Sequence, residues 1–273
     1  MRERAACNNV NANVSCNFMR HFLLTIIIFI SAFCYSQKVG VPIDKWKAYD
    51  VPVNEDTLSN YNHAQDDWTV YLKDNKIYST NSRTKTSDTL PFKIIPTEEE
   101  KYKIGGRRSV IKVDNGYLVG FYRGEWGGNL YWISRDGKSK YEISGHEIVQ
   151  FIKRDNKIYA IEGLAHLGRS EGSIIEIKEV NKKWTAVEYL KLPSAPDGVD
   201  LAQNNNFVII TSKSLLTVDI NLKIDILIEK GFWWAALYPT SLVIKDNIAY
   251  MGMRKGVFKY DLKTNKQKWL MIE

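Results

Sequence analysis

VQFIKRDNKIYAI, running from Val149 to Ile161, reads as two strands about a tight turn. Apolar and polar residues alternate on both sides of Asp155-Asn156, which is the period of a half-buried strand. Asp and Asn suit the turn because both tolerate positive φ and bond their own backbone. The phrase recurs as VYLKDNKIYS around Asp74, VIKVDNGYLVG around Asp114, DLAQNNNFVII around Asn204 and SLVIKDNIAYM around Asp246. Successive spacings are 40, 41, 49 and 42 residues.

A second hairpin pattern follows each of the last four phrases: NLYWISRDGKSKYEIS, SIIEIKEVNKKWTAVEYL, SLLTVDINLKIDILIE and GVFKYDLKTNKQKWLMI. In the first repeat the corresponding stretch, TKTSDTLPFKI, is degenerate. Two hairpins per repeat make four strands, which is the pattern of one β-propeller blade. No window of eleven residues past the leader shows a helical period. The expected fold is therefore all-β, a single propeller of five four-stranded blades over residues 68–273. Residues 37–67 are left over, with one strand-like piece, KWKAYDVPV; they read as an N-terminal arm supplying a closing strand, or as a worn sixth blade.

The last blade resembles the repeat of quinoprotein-like propellers. There a strand ends in aspartate, a Lys-Thr-Gly-like turn follows, and the next strand carries a Trp. The matching residues are Asp261, Lys263, Thr264, Asn265 and Trp269, and IKEVNKKW with Trp184 is a weaker copy. The resemblance implies the fold alone. It carries no quinone chemistry here, since the chain has no adjacent cysteine pair and no clear calcium-binding loop.

Residues 22–35 form an apolar run of fourteen residues, FLLTIIIFISAFCY, preceded by Arg20 and followed by Ser36. A spanning helix needs about 20 residues, so the run reads as a secretory signal peptide cut after Ser36, leaving Gln37 first. Met19 makes a better start for such a leader than Met1. A retained N-terminal anchor is the alternative. Cys34 could suggest a lipid anchor, but bulky Phe33 before it speaks against one. The expected location is secreted or periplasmic, with membrane contact only through the leader before cleavage.

Of 273 residues, 44% are apolar and 25% charged, with a net charge of +7, which excludes a disordered or multi-span chain. All three cysteines lie in the leader, so the remainder holds no disulfide scaffold, thiol nucleophile or Cys-ligated zinc. The arginines are dispersed over loops rather than gathered in a basic groove, which argues against nucleic acid.

Function on a propeller sits on the loops that a rigid ring of sheets holds. Two loops between second and third strands exceed hairpin length, FYRGEWGGN with Arg123 and Trp126, and EGLAHLGRSEGS with His166 and Arg169. Arg254 occupies the same connection in the last blade. Guanidinium groups hold anions bidentately and a Trp plane adds stacking area. Of the Trp233-Trp234 pair, one residue is expected in the core, with Trp234 taken as the ligand-facing one. Asp200 enters an inner strand and could bind a cation or act as a base at the axis. The reading is an exported binding protein presenting these seven residues to an anionic or sugar-like ligand or a protein partner. A small propeller enzyme, a hydrolase, lyase or cyclotransferase using an axial metal or carboxylate, is the alternative. No cofactor is expected, apart from an axial metal ion that His63, His146 and His166 could converge to hold.

Overall fold

The computed structural model describes residues 40–81 and 88–272. The expected leader and its alternative start at Met19 lie outside them. The chain is a five-bladed β-propeller of antiparallel sheets. Blade one holds β3 (Trp68–Lys73), β4 (Lys76–Asn81) and, at its outer edge, β1 (Val41–Pro42). Blade two is β5 (Arg107–Val113), β6 (Gly116–Tyr122), β7 (Gly128–Ser134) and β8 (Lys140–Ser144). Blade three is β9 (Ile148–Arg154), β10 (Lys157–His166), β11 (Arg169–Val180) and β12 (Lys183–Leu192). Blade four is β13 (Pro196–Leu201), β14 (Phe207–Thr211), β15 (Leu215–Val218) and β16 (Ile224–Ile228). Blade five is β17 (Ser241–Lys245), β18 (Ile248–Met253), β19 (Gly256–Asp261) and β20 (Gln267–Met271), with β2 (Lys47–Tyr49) added outside β20.

The turn chemistry behaves as its residues dictate. Asp74-Asn75, Asp155-Asn156 and Asp246-Asn247 all take positive φ at both positions, between 48° and 62°. That is the conformation that matches strand twist in a two-residue hairpin. In the quinoprotein-like turn, the Asp261 carboxylate accepts the amides of Lys263 at 2.8 Å and Thr264 at 3.0 Å. Those donors favour the ionised form and lower the pKa of Asp261. Asn265 then takes φ +58°, and Trp269 points into the core.

Side chains on the inner strands tie each blade to the next. Ser109 donates to the Val149 carbonyl at 2.8 Å, Gln150 donates to the Val199 carbonyl at 2.9 Å, and the Ile244 amide donates to Asp200 at 2.7 Å. The Val70 amide donates to Ser241 at 2.8 Å and completes the joint between the fifth and first blades. These bonds satisfy backbone groups that a strand facing the axis would otherwise leave bare. Asp200 therefore serves the ring: its other oxygen accepts the Leu201 amide at 2.8 Å. Each oxygen of this residue, expected as an axial base or cation ligand, thus accepts one backbone amide. Burial raises its pKa, and the two amide donors oppose that rise.

The joint between blades one and two is built differently. Asp88 lies against β5, its amide donating to the Arg108 carbonyl at 3.0 Å and its carboxylate accepting the Val110 amide at 2.8 Å. Leu90, Phe92, Ile94 and Ile104 pack against buried Val119, Phe121, Tyr131 and Ile133 of blade two. The degenerate stretch thus serves as an apolar wedge, and residues 88–106 contain no strand.

The N-terminal segment joins the two ends of the ring. β2 pairs with β20 in the register Lys47↔Met271 to Tyr49↔Trp269, while β1 pairs with β4. Between them Trp46 meets Trp68 edge to face, with ring centroids 4.6 Å apart. The α-helix α1 (Glu55–Asn62) follows, capped by Asn54, whose side chain accepts the Thr57 amide at 3.2 Å. Eight residues are too few to register in an eleven-residue window, so the sequence pattern did not announce this helix. Its Tyr61 stacks on Trp269. Among the described residues no helix is long and apolar enough to cross a membrane.

Candidate functional site

In a ring of four-stranded antiparallel blades, every connection between second and third strands emerges on one face, beside the segments entering each inner strand. Direct contacts join these loops here. Gly231 donates to the Lys213 carbonyl at 2.7 Å, and Arg254 donates its amide to the Leu237 carbonyl at 2.7 Å.

The β10–β11 hairpin dominates this face. β9 pairs with β10 only as far as Glu162, and β12 pairs with β11 only from Gly172 onward. Residues 164–171 run on as a two-stranded ribbon without flanking strands, with Leu167 and Gly168 at its tip. Leu167 is 90% exposed and takes φ +47° to close the turn. Both flanks of the ribbon are pinned. The Ser170 hydroxyl sits 2.8 Å from that of Ser212 and accepts the Ala195 amide at 2.9 Å, which ties one side to blade four. His166 Nε2 meets Glu125 Oε2 at 3.0 Å, which ties the other side to blade two.

The ribbon divides the face into two clefts. The first, of about 620 Å³, is acidic: Glu125, Glu147, Glu162, Glu171 and Glu188 line it, opposed by His166, Arg169 and Lys191. Burial, and then the charge of Glu162, push the pKa of Glu147 up, while nearby Arg123 pulls it down. Arg123 donates to Asn129 at 3.0 Å, and Asn129 passes the contact on to Glu142 at 2.6 Å.

The second cleft, of about 440 Å³, is aromatic and lies between the ribbon and the loops of blades four and five. Trp234 and Tyr238 line it, 43% and 51% exposed. Trp233 beside them is fully buried, its indole donating to the Thr211 carbonyl at 3.0 Å. Residues 232–237 form a run of turns, with positive φ at Ala235 and at Tyr238 just beyond it, and the two neighbouring indoles differ in burial.

His166, Arg169 and Trp234 thus come together around the aromatic cleft. Arg123 lies behind the acidic cleft, beside Glu147. Trp126 is 75% exposed on a short 3-10 turn and lines neither cleft. Arg254 is occupied elsewhere: it donates to the carbonyl and side chain of Asn62 at 2.7 and 2.8 Å and to Asp67 at 3.1 Å. Its guanidinium also covers the Tyr238 ring at 4.7 Å. The three histidines have separate partners, His63 with the Ser59 carbonyl, His146 with Ser144 and His166 with Glu125. Among the described residues no group of three or more His, Cys, Asp or Glu side chains is arranged to hold a metal ion. Lys230 escaped the sequence reading because it follows a strand end with no turn signal of its own. Its Nζ stands 4.8 Å from the centre of the Trp234 ring.

The geometry defines a five-bladed propeller with a divided loop face. No family model and no curated protein matches the chain. Several solved structures align with parts of the chain at low identity. Virginiamycin B lyase from Staphylococcus aureus aligns over 61% of this chain and 56% of its own, with 12% identity and a TM-score of 0.43. The extracellular domain of the one-component system BT4673 from B. thetaiotaomicron aligns over 83% and 29%, with 12% identity and a TM-score of 0.44. A GH43 endo-arabinanase from Bacillus licheniformis aligns over 60% and 79%, with 13% identity and a TM-score of 0.36. The chain therefore spans about half the length of the lyase and under a third of the BT4673 domain.

Proposed function

We propose that this chain is an exported β-propeller binding protein that holds a carbohydrate-like ligand in the aromatic cleft between blades three, four and five. The observation that carries this reading is the pair Trp234 and Tyr238, left about half exposed on the wall of a cleft. Large aromatic rings gain most from burial, and Trp233 next in sequence achieves it fully. A ring kept at the surface opposite a projecting ribbon offers a flat apolar face for the C–H side of a sugar. Ser170, Ser212 and Asp197 give the same cleft a polar border.

Trp234→Ala should abolish detectable binding in a titration of the purified protein against a panel of oligosaccharides, with the melting temperature nearly unchanged. Unaltered affinity in that variant would place the ligand elsewhere. Export rests on the apolar run of residues 22–35. Intact-mass measurement of secreted or periplasmic protein should find Gln37 at the N-terminus. A mass that includes residues 23–32 contradicts export by cleavage.

A further inference from the structure

We infer that the ligand of the aromatic cleft is an acidic saccharide, its anionic group held between Lys213 and Lys230 beside the Trp234 ring. This rests on the carbohydrate reading and adds the charge. Lys213 belongs to the connection between β14 and β15, and Lys230 follows β16. The hydrogen bond from the Gly231 amide to the Lys213 carbonyl, 2.7 Å, clamps these two segments side by side. The Trp234 amide then donates to the Gly231 carbonyl at 3.1 Å and holds its backbone against the clamp. Both ammonium groups face this one ring, Lys230 Nζ at 4.8 Å and Lys213 Nζ at 5.9 Å from its centre.

Neither lysine has an ion-pair partner among the described residues. A ring quadrupole attracts each cation by only about 0.5–1 kcal/mol at an exposed site, far less than an anionic partner offers. An anionic group beside the ring would accept charge-assisted hydrogen bonds from these ammonium groups. The indole beside it stacks on the sugar that carries the anion. The position is also selective. The neighbouring cleft, across the ribbon, sets five glutamates against His166, Arg169 and Lys191, whereas the aromatic cleft sets Asp197 alone against His166, Arg169 and Lys213. An acidic ligand on this face is thereby steered to the lysine side.

The test titrates the full exported chain with an oligogalacturonate and with its methyl ester, which has the same rings and no charge. A sulfated neutral oligosaccharide forms a third arm. The acidic form should bind at least tenfold tighter than the ester at low salt, and the gap should close at high salt. Lys213→Gln and Lys230→Gln should each weaken the acidic form about threefold to tenfold and leave the ester unchanged, while Lys213→Arg restores binding. Tighter binding of the sulfated probe than of the uronate would assign the clamp to sulfate within the same class. Equal affinity for acid and ester overturns the inference and leaves the carbohydrate reading standing. Binding of the acid that neither substitution alters also overturns it. Failure of every saccharide to bind removes both readings.

Discussion

Trp68→Ala should lower the melting temperature by roughly 6–20 °C. Trp68 begins the inner strand of blade one and is 7% exposed. It shares one cluster with Trp46 of the N-terminal segment, Val70 and Ile77 of blade one, and Val257 and Leu270 of blade five. That cluster is the apolar fill of the joint that closes the ring. Removing an indole from such a site costs about 3–5 kcal/mol through lost burial and the cavity left behind. A domain of this size shifts by about 2–4 °C per kcal/mol. Trp126→Ala supplies the control, since Trp126 is 75% exposed and its loss should stay within about 0.5 kcal/mol. Equal melting temperatures for the two variants would mean that the joint contributes nothing to stability.

Arg254→Ala should cost about 2–3 kcal/mol, measured by denaturant unfolding. The guanidinium ties the end of α1 and the entry to blade one onto the loop of blade five, through Asn62 and Asp67. The Arg254 side chain is 25% exposed and that of Asp67 17%, so truncation leaves a partly buried carboxylate and carbonyl without their donor. Arg254→Lys should recover only part of the loss, because one ammonium cannot reproduce a fork that reaches two residues. Arg169→Ala, at a side chain 80% exposed, should be silent. If Arg254→Ala were also silent, the clasp would be a surface contact without consequence for the fold.

These two residues show what the sequence made legible and what it hid. The blades were readable because their determinants are local: strand period, and a turn residue pair within a few positions. The wider pattern of loops on one face followed from connectivity alone. Partners of individual loop residues were not readable. Arg254 finds Asp67 across 187 positions, and Asp200 finds the Ile244 amide across 44. Nothing near either residue announces such a bond, so both looked like free functional groups. Trp233 and Trp234 are identical in type and adjacent. Only their place in the turn distinguishes them, Trp233 buried in the core and Trp234 left 43% exposed. The degenerate first repeat was visible as a gap, but its conversion into a wedge depends on packing against blade two.

The pairing of β2 with β20 also sets an order of events in time. Lys268 reaches Asp50 across 218 positions of chain, so this joint can form only after nearly all the protein has left the ribosome. Contacts of such long range slow folding, because the loop they close must be ordered before they reward it. Blades two to four can condense on their own neighbours first. Until β20 arrives, β2 is an unpaired strand and the Trp46 cluster lacks Val257 and Leu270. The ring therefore stays open during synthesis and locks only once the last strand is delivered.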